Sequence, residues 1–326
     1  MALHRFILRP LSAWGTPFRS DTLAGLLLYR LAEDEGEAAL QAELEAFQDG
    51  EPPFVLSSAM PEGMVFAPKL PPASRETFAQ RTKEGRFCKK DGQPATLFEA
   101  LGRYKRFRKS PFLPLEIWER HRASLSAAAL FEEYCRQPEL WKDSSTKRAQ
   151  EMHVTIARNS GSALEGGLFT SHAFWNTPDA PFHLYAETDD CPRLLARLKR
   201  IGQMGYGRDS STGKGFFSLE EDTAFIPGSP DLPHKLLLSM LSANDLIGLK
   251  GWYSTEVKTG KAGPAFCKGN PFKSPFLCVQ EGAVLTALPA GPFVLKGIHA
   301  DPAIIQITQP LTLPCRLAEE EDCHDR

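Results

Sequence analysis

A glycine-rich segment at residues 205–215, GYGRDSSTGKG, holds the densest group of residues that could bind an anion. Four glycines, three hydroxyl side chains and the cations Arg208 and Lys214 occupy eleven positions. Glycine permits positive φ angles and close backbone approach, so successive backbone N–H groups can converge on an anion. The segment therefore predicts a phosphate-binding loop. A merely flexible turn is the alternative, since glycine and serine are common in loops.

This segment departs from a nucleotide-binding P-loop in two ways. A P-loop has four residues between its first glycine and its Gly-Lys pair, followed by Ser or Thr. Here five residues separate Gly207 from Gly213, and a further glycine follows the lysine. A P-loop also leads from a strand into a helix whose N-terminus faces the phosphate. Because this segment lies between a predicted helix at 192–204 and a predicted strand at 216–219, we do not expect ATP hydrolysis.

A second cationic cluster, RYKRFRK at 103–109, interleaves five cations with Tyr104 and Phe107. Cations bind phosphates and aromatic rings stack on unpaired bases, so the cluster predicts a contact with single-stranded RNA. A solvated basic face or a protein-docking surface is the alternative.

Four isolated residues complete the set of candidates. Arg19 and Ser20 lie at the mouth of a loop, where they could reach a phosphate or simply begin the first helix. His153 and Arg158 lie at opposite ends of a predicted strand; for His153, a hydrogen-bonded structural histidine is the alternative to an RNA contact.

The elements predicted around these residues alternate between strands and helices. Period-two patterns predict strands in the first part of the chain at 3–11, 54–59, 152–158, 168–174, 182–187 and 216–219. Helices are predicted at 20–31, 37–47, 124–136 and 192–204. The order strand–helix–strand, repeated once, is that of a ferredoxin-like (RRM-like) domain, whose sheet often binds single-stranded RNA. Further strands are predicted at 235–241, 276–279, 283–288 and 304–308.

Length and composition predict an α+β protein of two domains. At 326 residues, the chain can bury about two cores. We place residues 1–222 in a ferredoxin-like domain that carries an inserted basic thumb, arm or lobe at about 73–122. Residues 223–326 form a degenerate ferredoxin-like or mostly β domain. The 26 prolines, about 8 % of the chain against a usual ~5 %, disfavour a long helical bundle.

The net charge of −2 hides two charged segments of opposite sign. Residues 75–122 contain 13 Lys and Arg against 6 Asp and Glu, a balance of +7, and weak apolar periodicity there favours an inserted arm or lobe outside the core. Residues 33–51 carry eight carboxylates and no Lys or Arg, which is typical of a solvated helix face. An RNA site and a protein-docking surface can therefore coexist in a nearly neutral chain.

Patterns that specify membranes, secretion or disulfides are missing from the sequence. No stretch approaches the ~18 consecutive apolar residues of a spanning helix, and residues 1–10 lack the apolar run of a signal peptide. The seven cysteines are scattered and include no Cys-x-x-Cys pair, so neither a disulfide framework nor a cysteine-based zinc site is expected. We predict a cytoplasmic protein with an acidic, unstructured tail at 319–322.

Four blocks of sequence resemble one known family. They are RPLSAWGTPFRSDTLAG at 9–25, MHVTIARNSG…EGGLFT at 152–170, the glycine-rich loop within 201–217, and NPFKSPF…EGAV at 270–284. Together they are similar to the Cas-five-group subunit, the fourth Csm subunit, of type III-A CRISPR effector complexes, within the RAMP superfamily. Val154 and Ala157 depart from the family pattern, which has Asn after the histidine and an acidic residue before the arginine.

The resemblance implies paired ferredoxin-like domains and a non-catalytic role in antiviral defence. Members hold the 5′ repeat-derived tag of CRISPR RNA and link a large polymerase/cyclase-like subunit to the RAMP backbone subunits. No cofactor, metal, catalytic residue or membrane is implied. The expected RNA contacts are Arg19, Ser20, Arg103, Lys105, Arg106, Arg108, His153, Arg158, Gly205, Gly207, Arg208, Ser210, Ser211, Thr212, Gly213, Lys214 and Gly215.

Two other functions remain open on the sequence. One is a RAMP endoribonuclease that processes precursor CRISPR RNA, with His153 or His172 as a general acid or base. The other is a protein scaffold without RNA affinity.

Overall fold

The computed structural model describes residues 1–142, 146–177, 180–226, 228, 231–242, 248–263 and 270–318. It is a mixed α and β structure with several small antiparallel sheets, in agreement with the predicted α+β class. Within these ranges, no helix is long and apolar enough to cross a bilayer. The acidic tail at 319–322 and the cysteines Cys267 and Cys323 lie outside the described residues.

The described chain contains seven α-helices and eighteen strands. The helices are α1 (Ser20–Glu35), α2 (Glu37–Asp49), α3 (Arg75–Lys83), α4 (Leu97–Phe107), α5 (Leu115–His121), α6 (Ala127–Arg136) and α7 (Cys191–Met204). The first strands are β1 (Ala2–Pro10), β2 (Phe54–Leu56), β3 (Met60–Pro61), β4 (Met64–Phe66), β5 (Phe112–Pro114), β6 (Thr146–Ile156), β7 (Ala163–Asn176), β8 (Phe182–Thr188) and β9 (Phe217–Glu221). They are followed by β10 (His234–Leu237), β11 (Leu241–Ser242), β12 (Gly251–Trp252), β13 (Thr255–Lys258), β14 (Phe276–Val279), β15 (Val284–Leu285), β16 (Val294–Leu295), β17 (Gln306–Ile307) and β18 (Thr312–Cys315).

The first sheet has the order β2–β8–β1–β9, with every neighbouring pair antiparallel. In central β1, Phe6 lies opposite Leu184 of β8 and opposite Glu221 of β9. Side chains two positions apart share one face of a strand, and those of β1 pack against α1 and α7. Leu27 and Leu198 contribute the apolar stripes of these two helices to that core.

The basic segment predicted as an inserted arm or lobe is a packed helical lobe. Helices α3, α4 and α6 enclose a core of their own, in which Phe87 lies 4.8 Å from Phe78 and 4.7 Å from Phe131 between ring centroids. Helices α3 and α4 were not predicted from the sequence, because the aromatic residues of this core come from separate short elements. Such a core gives no continuous apolar stripe in the sequence.

An extended arm does occur, formed by β6 and β7. The two strands pair from Thr146 opposite Asn176 to Ile156 opposite Ala163, and they join no third strand among the described residues. Most of its side chains are exposed, including Met152 at 69 %. A two-stranded hairpin is marginally stable in water, so the contacts at its base hold it in place.

The C-terminal part contains a four-stranded sheet, β12–β15–β10–β18, and a three-stranded sheet, β11–β14–β13. The predicted division after residue 222 falls between β9 and β10. Across that division, Val55 and Tyr185 share one hydrophobic cluster with Leu236 and Leu313. The first sheet and the C-terminal sheets therefore pack against one another.

Candidate nucleic-acid interface

The glycine-rich loop begins where α7 ends, and all four of its glycines have positive φ, as predicted. Three of the four also lie in tight packing. A Cβ on Gly215 would lie 2.1 Å from the Tyr206 carbonyl oxygen, and a Cβ on Gly207 would lie 2.7 Å from the Thr16 side chain. A Cβ on Gly205 would likewise meet a backbone oxygen at 2.8 Å. A side chain at any of these three positions would therefore clash with neighbouring atoms of the protein, whereas a Cβ on Gly213 would meet open space.

The outer rim of the loop faces solvent. Arg208, Ser211, Thr212 and Gly213 are exposed, and residues 210–212 form a short 3-10 turn. Arg208 lies near the Asp209 carboxylate, and its guanidinium donates a hydrogen bond to the His172 carbonyl, yet it is 47 % exposed. The Thr212 hydroxyl donates within the loop to the Asp209 carbonyl at 2.9 Å, so the rim offers the Ser211 hydroxyl and an accessible cation to an anion in solution.

The segment before α1 joins this loop to the base of the hairpin. The Gly215 N–H donates to the Ala13 carbonyl at 2.7 Å, and the Arg208 N–H donates to Thr16 Oγ1 at 3.0 Å. Between these residues, Trp14 exchanges two backbone hydrogen bonds with Phe174 of β7, and the two rings stack. The same four-residue segment therefore fixes both the loop and the hairpin.

The side chain of Lys214 points at the hairpin. Its Nζ lies 2.5 Å from the Glu151 carboxylate and 3.4 Å from that of Asp209, and it is 14 % exposed. The hydrogen bond with Glu151 raises the pKa of Lys214, and the same bond lowers the pKa of Glu151. This position does not support a phosphate contact by Lys214, because the charge is already paired within the protein.

His153 lies on the same face of β6 as Glu151, two positions further along. Its Nε2 lies 2.9 Å from Ser171 Oγ and 3.6 Å from the Glu151 carboxylate. Its ring stacks on Phe169 with 5.2 Å between centroids and 20° between planes. Phe169 is 53 % exposed, so we call His153 and Phe169 the stacking platform.

Arg158 lies apart from this cluster. It occupies the turn between β6 and β7, where it is exposed. It lies five positions after His153, beyond the end of β6 at Ile156. It extends the cationic surface toward the tip of the hairpin.

Arg19 and Ser20 point into the protein rather than toward the loop surface. The Arg19 guanidinium pairs with Glu256 and, at 2.9 Å, with Glu281. Ser20 Oγ accepts a hydrogen bond from the Met240 N–H at 3.1 Å, and its own N–H donates to a serine hydroxyl. Both residues join the first helix to the C-terminal sheets, so their position does not support an RNA contact.

The basic cluster of the lobe is divided between interior and surface. Arg103 is 8 % exposed and donates to the carbonyls of Cys88 and Cys135. Tyr104 and Phe107 pack in the aromatic core of the lobe, which leaves them unable to stack on bases from these positions.

Four cations of this cluster remain at the surface. Lys105, Arg106, Arg108 and Lys109 are exposed on the lobe, although Arg108 also donates to the Leu70 carbonyl at 2.8 Å. They form a basic surface on the lobe, which is separate from the glycine-rich loop and the hairpin.

Glu151, Phe169 and Ser171 belong to the site but were missed by the sequence reasoning. Each lies opposite or beside His153 in the hairpin, where Glu151 is opposite Ser171 and His153 is opposite Phe169. The alternating pattern of the two strands could be recognised in the sequence. The register that brings these residues opposite one another could not, because it depends on the turn between the strands.

No family model matches the chain, and no curated protein sequence matches it. Solved structures match along its whole length. A chain from a Csm1–Csm4 cassette in complex with cA4 has a TM-score of 0.57 at 13 % identity, covering 98 % of this chain and 100 % of that one. A chain from the same cassette with pppApA gives 0.55 at 14 % and the same coverage.

A chain from a Csm3–Csm4 subcomplex of the type III-A CRISPR-Cas interference complex has a TM-score of 0.53 at 17 % identity, covering 95 % of this chain and 99 % of that one. These likenesses define a class of fold, the one that the matching chains of these Csm complexes share. Within that class, the fold is Csm4-like. The resemblance of the sequence blocks to the fourth Csm subunit is thereby confirmed at the level of the fold.

Proposed function

We propose that the chain is the Csm4-type subunit of a type III-A CRISPR ribonucleoprotein. In this role it binds the 5′ repeat-derived tag of CRISPR RNA and links the large polymerase/cyclase-like subunit to the RAMP backbone subunits. The observation that carries the proposal is the placement of the Arg208 rim beside the stacking platform, in a chain whose fold is Csm4-like over its full length.

The chemistry of this site suits a single strand of RNA. Arg208 supplies a charge-assisted donor for a phosphate, and Ser211 supplies an exposed hydroxyl group on the same rim. An exposed aromatic pair such as His153 and Phe169 gives a splayed base a surface on which to stack. Double-stranded RNA would not present its bases to such a platform.

The proposed partners follow from the complexes in which the similar folds occur. Those structures pair Csm4 with Csm1 and with Csm3, so we assign Csm1-like and Csm3-like partners to this chain. Reconstitution tests this: partner subunits should co-elute in size-exclusion chromatography only when this chain is present. Co-elution that does not depend on the chain would contradict the linking role.

The architecture proposed with this function has two ferredoxin-like domains. The order β2–β8–β1–β9, with two helices on one face, supports this assignment for the first sheet. We assign the sheet β12–β15–β10–β18 to a degenerate second domain.

The proposed role is non-catalytic. His153 bonds to Ser171 and stacks on Phe169, an arrangement that suits base stacking. Incubation of the pure chain with precursor CRISPR RNA in EDTA tests this, and the RNA should remain intact. Specific products that disappear in His153→Ala would assign the chain to the processing endoribonucleases instead.

A further inference from the structure

Three side chains with metal-binding atoms meet at one end of the first sheet, away from the glycine-rich loop. His4 comes from β1, Cys191 is the first residue of α7, and Glu221 is the last residue of β9. Their ligand atoms, an imidazole nitrogen, the Cys191 sulfur and a carboxylate oxygen, lie within 4.8 Å of one another. One pair of these atoms, His4 Nδ1 and Glu221 Oε1, is 3.0 Å apart.

The strand register explains why these residues converge. His4 and Phe6 lie two positions apart on β1 and therefore share its helix-facing side. Glu221 lies directly opposite Phe6, which places it diagonally across from His4 on that side. Cys191 begins the helix that covers this face, so its side chain reaches the end of the same core.

The surroundings of the cysteine favour a cation. The cysteine sulfur lies within 4.8 Å of a Glu221 carboxylate oxygen, and Asp190 precedes Cys191 in the chain. A cation bound beside the sulfur would therefore lie close to carboxylates.

The donor set identifies the cation. A thiolate, an imidazole and a carboxylate are the ligands that Zn²⁺ takes in proteins, and three protein ligands plus water complete a tetrahedron. Ligand atoms of a tetrahedral zinc lie about 3.4–3.8 Å apart, so the group closes around the ion with side-chain movements of about 1 Å. Such movements are within the reach of His4 and Glu221, which are not fully buried.

We propose that His4, Cys191 and Glu221 bind one Zn²⁺ ion, with water as the fourth ligand. The ion joins the first strand, the last strand of the sheet and the start of α7. It stabilises the first sheet independently of any RNA bound at the loop and hairpin.

Zinc titration of the full chain, free of any affinity tag and stripped with a chelator, tests the proposal. We expect one equivalent of Zn²⁺ by calorimetry and by metal analysis after dialysis, and a higher unfolding temperature with zinc. Co²⁺ should give a thiolate-to-metal charge-transfer band that is absent in Cys191→Ser. His4→Ala and Glu221→Gln should each weaken zinc binding by more than about tenfold.

Matched controls separate this site from adventitious binding. Glu220→Gln changes the neighbouring carboxylate, which pairs with Arg9, and Cys88→Ser changes a thiol in the lobe. Both should keep one equivalent at unchanged affinity. No bound zinc, or equal affinity in the wild type and His4→Ala, would overturn the proposal. His4→Ala removes a partly exposed side chain, so it decides the question even where Cys191→Ser does not fold.

Discussion

Lys214 of the glycine-rich loop lies 2.5 Å from the carboxylate of Glu151 on the hairpin. This ion pair links two elements that are 63 residues apart in sequence, and it commits one of the two loop cations to holding the hairpin. Arg208 is left as the loop cation with its side chain in solvent. The two cations of one loop therefore have different roles, which mutagenesis can separate.

Replacing Lys214 with Met should loosen the hairpin, since it removes the pairing partner of Glu151. We expect faster hydrogen exchange in β6 and a cost of about 1 kcal/mol in stability, as for a partly exposed ion pair. A double-mutant cycle with Glu151→Gln measures the coupling. Lys147→Met, at an exposed position of the same strand, is the control. Unchanged hydrogen exchange in β6 would show that the ion pair between Lys214 and Glu151 does not hold the hairpin in place.

Replacing Arg208 with Ala should weaken the binding of CRISPR RNA by roughly 1–3 kcal/mol, the range for a hydrogen bond to a charged group. The slope of log affinity against log salt should fall by about one, since one phosphate contact is lost. Fluorescence anisotropy at several salt concentrations measures both. Arg200→Ala on α7, which pairs with Asp34, should change neither. Equal losses in the two variants would indicate a non-specific charge effect.

Replacing Phe169 with Ala should weaken RNA binding by about 1–3 kcal/mol, because stacking on an aromatic ring contributes in that range per base. Leu168→Ala, on the opposite face of the same strand, is the matched control, and it should leave the affinity unchanged. A larger loss in Leu168→Ala would place the RNA on the other face of the hairpin.

Replacing Arg19 with Met should destabilise the protein by roughly 3–5 kcal/mol, because it leaves a buried carboxylate unpaired. That carboxylate is Glu281, whose side chain is 7 % exposed and also accepts a hydrogen bond from Ser58. Denaturant unfolding measures the change. The double variant with Glu281→Met removes both charges and should recover most of the loss.

Acid should weaken the same contact. Burial alone would raise the pKa of Glu281, but its hydrogen bond and ion pair with Arg19 bring the pKa below the usual value. Its stabilising contribution is therefore complete above the unfolded pKa of about 4.3 and is lost as pH falls through the lower folded pKa. Unfolding free energies between pH 6 and pH 3 should fall less steeply in the double variant than in the wild type.

Replacing Arg103 with Ala should destabilise the lobe by roughly 1–3 kcal/mol, since two buried carbonyls lose their donor. The affinity of the folded variant for RNA should not change. Thermal unfolding and anisotropy on the same sample test both statements. A loss of RNA affinity without a loss of stability would indicate instead that Arg103 contacts RNA.

Local sequence patterns predicted most elements of the first sheet and its helices. The alternation of side chains in β1 and β8 and the apolar stripe of α7 are local sequence patterns. Each could therefore be recognised within its own segment. The helices α3 and α4 of the lobe could not be predicted in this way, because its core joins Phe78, Phe87 and Phe131 from separate elements.

The candidate site was predictable only in part. The composition of the glycine-rich loop indicated an anion site, and four positive φ angles agree with it. The sequence could not show which cations face solvent, because the partners of Lys214, Arg103 and Arg19 are distant in sequence. The convergence of His4, Cys191 and Glu221 depends on strand register, which residue spacing does not reveal.

Recognition of the 5′ tag of CRISPR RNA is the role proposed for the chain. Its most direct test is the affinity of the purified chain for two RNAs of equal length, one with the repeat-derived tag and one with that tag scrambled. We expect the tagged RNA to bind at least about tenfold more tightly, a difference of about 1.4 kcal/mol, and we expect Arg208→Ala to reduce that preference. Equal affinity for the two RNAs would contradict the claim.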